Sequence, residues 1–212
     1  MDMFKPVQVS RKVWGTLFRS GSGFLESNFY LLVPESGGVV LIDPGLRDIP
    51  AFLVWLDAQQ LDIVAVLLTH EHADHCLGVN ALAASRTFTL ICSEACSRNI
   101  ACSRQNFSRY HETVDEFVIT HPASVVIDGD RLVFSCIDLQ FIETPGHSPG
   151  SICIAADQYL FTGDTLLNGN PTPLRFPHSS KEAYVASMLK LQPYITPGTL
   201  ICPGHGQPFF IG

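Results

Sequence analysis

The sequence lacks any uninterrupted apolar run of the roughly 18–20 residues needed to cross a bilayer. Its opening stretch, MDMFKPVQVSRKVWG, also lacks the apolar segment of an export signal. These absences lead us to expect a cytoplasmic protein with no membrane partner. Charge is scarce, at 16% of residues against about 25% in ordinary soluble domains, while 46% of residues are hydrophobic. That balance excludes a disordered chain, which needs low hydrophobicity and high net charge. Basic residues are outnumbered, 13 against 20 acidic, giving a net charge of −7. Non-specific nucleic-acid binding depends on Lys and Arg against phosphate, so no nucleic-acid partner is expected. The seven cysteines are odd in number and irregularly spaced, which suggests free thiols rather than a disulfide framework. Cys96 and Cys102 fall on different faces of any helix, so they read as buried small residues rather than metal ligands. Internal repeats, low-complexity tracts and linkers are missing too, and we read residues 1–212 as a single domain.

What the chain does have is a series of short β-branched runs bounded by turn residues. Residues 29–33 and 39–42 flank Pro-Glu-Ser-Gly-Gly at 34–38 and predict a hairpin, whose second strand ends at Asp43-Pro44-Gly45. Residues 49–60 carry Ile49, Phe52, Leu53 and Leu56 at helical spacing. A buried strand at 64–68 runs into Thr69-His70, and a helix is expected to start near His75. Strands follow at 90–92, 124–127, 132–134 and 139–143, with Asp128-Gly129-Asp130 as a turn. A hairpin over 151–155 and 159–162 has Ala156-Asp157-Gln158 at its tip. Ser179 followed by Glu182 is a capping-box pattern opening a helix to about Leu191, before a last strand at 200–202. Residues 93–120 read as solvated helix and loop. Strands in both halves, interrupted by helices, predict a layered α/β or α+β fold with two sheets covered by helices.

The chemistry concentrates in histidines. His70-Glu71-His72-Ala73-Asp74-His75 begins where a strand ends and finishes where a helix begins. In extended backbone, residues i and i+2 point the same way, so His70 and His72 can converge on one ion. Asp74 and His75 point elsewhere and can hold a second. Glu71, between them, is expected to face solvent. His147 in Thr-Pro-Gly-His-Ser-Pro-Gly, Asp164 in Phe-Thr-Gly-Asp-Thr and His205 in Cys-Pro-Gly-His-Gly each sit at a strand end in a tight turn. Singly, each reads as a turn residue or cap; together they read as a metal site of imidazoles and carboxylates, donors that suit Zn, Fe and Mn.

The pattern Thr-His-x-His-x-Asp-His, followed by Pro-Gly-His, Gly-Asp-Thr and Pro-Gly-His, resembles the metallo-β-lactamase-fold hydrolase superfamily, and within it the glyoxalase II-like members. The resemblance runs from Asp43 to His205. It implies an αββα four-layer sandwich with the site at one edge of the two sheets. It also implies two divalent metal ions, zinc first with iron or manganese as alternatives. His70, His72 and His147 would hold one, Asp74, His75 and His205 the other, and Asp164 would bridge them. A hydroxide between the ions would attack a carbonyl, with Asp74 orienting it. Asp43 is expected either to hydrogen-bond within the metal loops or to be a plain turn residue. Arg175, His178 and Tyr110 are candidates to meet a small-molecule substrate.

The resemblance implies a hydrolase of a thioester or related activated ester. Within the same superfamily the alternatives are a mononuclear-iron persulfide dioxygenase and a lactone hydrolase. A true β-lactamase is disfavoured, because enzymes with a similar His-x-His-x-Asp-His lack the bridging Asp supplied here by Asp164. A flavo-diiron role is disfavoured because His72 stands where that branch has Glu. A non-enzymatic binding module would have lost ligands, and none is missing. Seven residues follow His205, where the long glyoxalase II enzymes continue into a helical domain, so glutathione is expected to be a weak recognition handle. The oligomeric state is left open.

Overall fold

A computed structural model of the chain describes residues 7–8, 13–16, 27–34, 38–134 and 137–212. Among them, one seven-stranded sheet runs in chain order: β1 (Val7–Gln8), β2 (Val13–Thr16), β3 (Phe29–Leu32), β4 (Val39–Ile42), β5 (Ile63–Leu67), β6 (Thr89–Ser93) and β7 (Ala123–Val126). Strands β1 to β4 pair antiparallel and β4 to β7 parallel. The second sheet is built from β8 (Arg131–Phe134), β9 (Ile137–Glu143), β10 (Ile152–Ala156), β11 (Tyr159–Gly163), β12 (Leu200–Pro203) and β13 (Phe209–Phe210). Here β8 to β11 form an antiparallel meander, β12 joins β11 in parallel, and β13 closes the edge.

The central strands are apolar on both faces because both faces are covered. In β3 and β4, Phe29, Leu31, Val39 and Leu41 pack outward against α1 (Ile49–Ala58), α2 (Ala73–Cys76), α3 (Val79–Ala83) and α4 (Glu94–Ile100). Their neighbours Tyr30, Leu32, Val40 and Ile42 pack inward against Phe141, Ile152, Ile154 and Phe161 of the second sheet. On the far side, Ile142, Cys153, Leu160 and Ile201 meet Leu191 of α5 (Lys181–Leu191). The order is therefore helices, sheet, sheet, helix, the αββα sandwich. Truncating one of the fully buried leucines, such as Leu41, would cost about 2–5 kcal/mol. No helix of the described residues is long and apolar enough to cross a membrane.

Several local expectations shift by a residue or more. Residues 35–37 of the expected 34–38 turn lie outside the described residues, as does Cys136. Helix α1 stops at Ala58 rather than Gln60, because Gln60 takes a left-handed φ of 57°. The helix expected near His75 begins at Ala73, so Asp74 and His75 sit in its first turn. The cap of α5 is Ser180, whose Oγ accepts from the Ala183 amide, while Ser179 Oγ donates to the carbonyl of His147. The turn Asp128-Gly129-Asp130 joins no hairpin. Strand β7 is the edge of one sheet and β8 the edge of the other, so this turn carries the chain from sheet to sheet.

The parallel strands set the site. β4, β5 and β11 end at Ile42, Leu67 and Gly163, immediately before the Asp43 turn, the His70–His75 segment and Asp164. β9 and β12 likewise run out toward His147 and His205. Ligand-type residues thus collect at the carboxyl ends of strands, on the seam between the sheets.

Candidate metal centre

The histidine-rich segment and three loops converge there. Ligand-type atoms of His70, His72 and His147 lie within 4.8 Å of one another, and so do those of Asp74, His75 and His205. Asp164 lies between the two groups: its Oδ2 is 3.5 Å from both His147 Nε2 and His205 Nε2, and its Oδ1 is 3.6 Å from His75 Nε2. Asp74 Oδ2 is 3.1 Å from His205 Nε2 and 3.6 Å from His75 Nε2. All seven side chains are buried except His205, which is half-buried.

The far side of the imidazoles sets their tautomers. His147 Nδ1 donates to the carbonyl of Pro173 at 2.9 Å, leaving Nε2 with a lone pair facing the centre. His75 Nδ1 meets Asp43 Oδ2 at 2.9 Å. Thr69 Oγ1 donates to the same Oδ2 at 2.6 Å and accepts from His70 Nδ1 at 3.1 Å, while Thr69 N donates to Asp43 Oδ1 at 2.7 Å. The grouping of Asp43, His70 and His75 is thus a hydrogen-bond network that turns both Nε2 atoms inward. Asp43 holds this position with a left-handed φ of 51°, a conformation Asp tolerates better than most residues.

The residues fit metal ions. His70 Nε2, His75 Nε2 and Asp164 Oδ1 are buried with no hydrogen-bond partner, an arrangement that costs stability unless a cation meets them. His147 Nε2 and His72 Nδ1 are 3.0 Å apart, two acceptor-capable atoms aimed at one place. Gly204 leaves room for this packing, since a Cβ there would sit 2.4 Å from Asp164 Oδ1 and 2.6 Å from His75 Cε1.

The electrostatics divide the cluster. Burial pushes His70 and His72 well below the ordinary imidazole range, and neighbouring imidazoles push the same way. Burial would lower His75 too, but the carboxylates of Asp74, Asp43 and Asp164 outweigh it and raise His75 to about 10. His205 is raised against the same desolvation by its contact with Asp74 and by Asp164. For Asp74 desolvation acts upward, yet His75 and His205 hold the carboxyl below its usual range. Burial raises the thiols of Cys76, Cys96, Cys153 and Cys202, so these stay protonated and offer no thiolate.

Glu71 is not solvent-facing. It is 1% exposed, with Oε1 accepting from Asn99 Nδ2 at 2.7 Å and Oε2 from Ser148 Oγ at 2.9 Å. The residue between two inward-facing histidines points to the opposite side, and that side is covered by α4 and the loop bearing His147. Glu71 therefore ties the His70–His75 segment to that loop.

A cavity of about 750 Å³ opens beside the histidines, with Tyr110 and His178 in its wall. Arg175, exposed, is not among its lining residues. Phe107 and Phe176, which carry no motif in the sequence, stack at a centroid distance of 5.4 Å. Phe107 also lies 4.8 Å from the His72 ring, and Phe176 lies 5.2 Å from His72 and 5.5 Å from His147. Only the position of Phe176 just after Arg175, on the stretch following Asp164, hinted at this.

Comparison with known proteins agrees with this arrangement. A profile of the metallo-beta-lactamase superfamily matches residues 22–205. The hydroxyacylglutathione hydrolase of Klebsiella pneumoniae subsp. pneumoniae is 31% identical over 182 residues, 86% of this chain and 62% of that enzyme. The chain spans about half to three-fifths of the length of the hydroxyacylglutathione hydrolases it matches. Among solved structures, the BLEG-1 B3 metallo-beta-lactamase superposes with a TM-score of 0.80 at 26% identity, over 89% of this chain and 91% of that one. TTHA1623 in a di-iron-bound form superposes with a TM-score of 0.76 at 28% identity, over 92% and 94%.

Proposed function

The chain belongs to the metallo-beta-lactamase superfamily, and from that premise we propose that it is a metal-dependent hydrolase that holds two divalent ions and cleaves a thioester or related activated ester. The observation that carries this reading is two ligand sets, His70–His72–His147 and Asp74–His75–His205, with Asp164 within 3.6 Å of members of both. Five imidazoles and two carboxylates without a thiolate suit zinc, and iron or manganese as alternatives. When bound, such ions lower the pKa of water and polarise a carbonyl.

The remaining work falls to the protein. Asp43 and Thr69 hold His70 and His75 in one tautomer. Asp74, about a tenth exposed at its side chain, reaches the open edge and orients the attacking water. Phe107 and Phe176 exclude bulk water from the His72 side. Hydrolysis then breaks the carbon–sulfur bond: water gives its oxygen and one hydrogen to the acyl carbon and its other proton to the thiol.

Elemental analysis of the purified protein, together with a panel of thioesters, lactones and phosphoesters, tests this. We expect about two metal equivalents per chain, and thioester turnover that a chelator abolishes and zinc restores. One equivalent of iron with oxygen consumption on a persulfide would replace this reading with the dioxygenase. Turnover of lactones alone would make the enzyme a lactonase.

A further inference from the structure

The cavity beside the histidines is larger than a small acyl group requires. Its volume of about 750 Å³ lies in the range of sites that enclose whole small molecules. Phe107, Phe176, Pro177 and Tyr110 give it an apolar side, and its other lining residues, Arg104 and Glu112 among them, are polar. This apolar side adjoins the metal centre, because Phe107 and Phe176 are in ring contact with His72. The part of a substrate that meets it must therefore be attached close to the reacting carbonyl. A two- or three-carbon hydroxyacyl group would leave most of the space to water.

The backbone at Phe107 points the same way. Its φ of 63° and ψ of 4° place a bulky aromatic residue in the left-handed region, which such residues rarely adopt. The neighbours impose that conformation. Asn106, fully buried, donates to the carbonyl of Phe117 at 3.0 Å and accepts from the Ser108 amide at 2.8 Å, and Ser108 Oγ donates to the same carbonyl at 2.9 Å. Strain held by its surroundings is a mark of a working position, and here it directs a ring over His72.

We infer that this cavity receives the acyl half of the substrate, that the acyl group is broad and apolar where it meets the two phenylalanines, at least the size of phenylacetyl, and that Phe107 and Phe176 are the specificity-determining pair. This rests on the thioester reading above. The test compares S-phenylacetyl and S-acetyl thioesters of one small thiol on the metal-loaded full chain. We expect kcat/KM to favour phenylacetyl by at least about tenfold, as apolar pockets do for groups that fill them. Within F107G and within F176A, the ratio should fall to about threefold or less. Glycine accepts the backbone of residue 107 without strain, and a ratio taken within one variant cancels any general loss of active protein. Calorimetric binding of phenylacetate against acetate supplies a readout that needs no turnover. We expect at least about a fivefold preference, lost in F107G. Cleavage of both thioesters at equal efficiency, with no preference in binding, would overturn the inference and leave the hydrolase reading standing. Preferential phenylacetate binding, lost in F107G, with no thioester cleaved would do the reverse.

Discussion

Replacing Asp43 by Asn tests how the two ligand sets are wired together. Asn keeps the size of the side chain and tolerates the left-handed backbone at φ 51°, so the loop is retained. Asn Oδ1 can still accept from the Thr69 amide. The other oxygen, however, becomes an NH2 group facing two donors, Thr69 Oγ1 and His75 Nδ1. The conflict is resolved only if His75 moves its proton to Nε2 and Thr69 turns its hydroxyl hydrogen toward His70 Nδ1, which reverses His70 as well. One substitution then misplaces a proton in each set. Losing an orienting partner behind a metal-bound histidine weakens metal affinity about 10–100-fold, or roughly 1.4–2.7 kcal/mol, so both ions should suffer. Losing the charge-assisted bonds should also cost the metal-free protein about 1.5–3 kcal/mol, a fall in Tm of about 3–12 °C. Competition with a chromophoric chelator at neutral pH resolves the two affinities. Two ions bound within about threefold of the unmodified protein would refute the reasoning. Weakening of one ion alone would refute the Thr69 arm.

Asp164→Asn removes a negative charge between the two sets while keeping the shape; turnover should drop by at least about a hundredfold while far-UV circular dichroism shows an unchanged fold. Glu71→Ala strands the buried Asn99 and Ser148 donors and should lower Tm by about 4–12 °C, a loss of about 2–3 kcal/mol readable by calorimetry. In the metal-free protein His75, raised to about 10 from an ordinary 6.5, stabilises fully below about pH 6.5 and progressively less as pH climbs toward 10. His70 and His72, depressed, stabilise fully above about pH 6.5 and less as pH falls below it, so Tm of the metal-free protein should peak near neutrality. Metal loading at pH 7–8 must expel the His75 proton, and calorimetry in buffers of different ionisation enthalpy should read at least about one proton released per chain.

The layered fold was legible because its strands announce themselves as short apolar runs ended by Asp-Pro-Gly, Thr-Pro-Gly-His and Pro-Gly-His. The spacing of His70, His72, Asp74 and His75 pointed to a shared centre because period-two and helical geometry act within six residues. What lay outside local geometry was not legible. Alternation sends Glu71 to the side opposite His70 and His72 but does not tell whether that side is covered. The separation of β7 and β8 into different sheets is a long-range choice that the Asp128-Gly129-Asp130 turn does not encode. Phe107 and Phe176 are 69 positions apart and carry no periodic signal; only the folded chain stacks them. Ser180 took the cap from Ser179 because the loop bearing His147 needed the latter's hydroxyl, a tertiary demand on a local motif.

The crossing from one sheet to the other at residues 128–130 has a consequence for biosynthesis. The His70–His75 segment emerges with the first sheet, whereas His147, Asp164 and His205 belong to the second. A nascent chain therefore presents three imidazoles and a carboxylate before any of the residues that complete either set has been made. An ion captured at that stage would be held by an incomplete set, with His70, His72, Asp74 and His75 free to gather on one cation. On the two-ion reading proposed above, complete loading follows the docking of the second sheet, a long-range step. The order in which cation and chain meet decides whether a newly made molecule matures directly or must first release what it took too early.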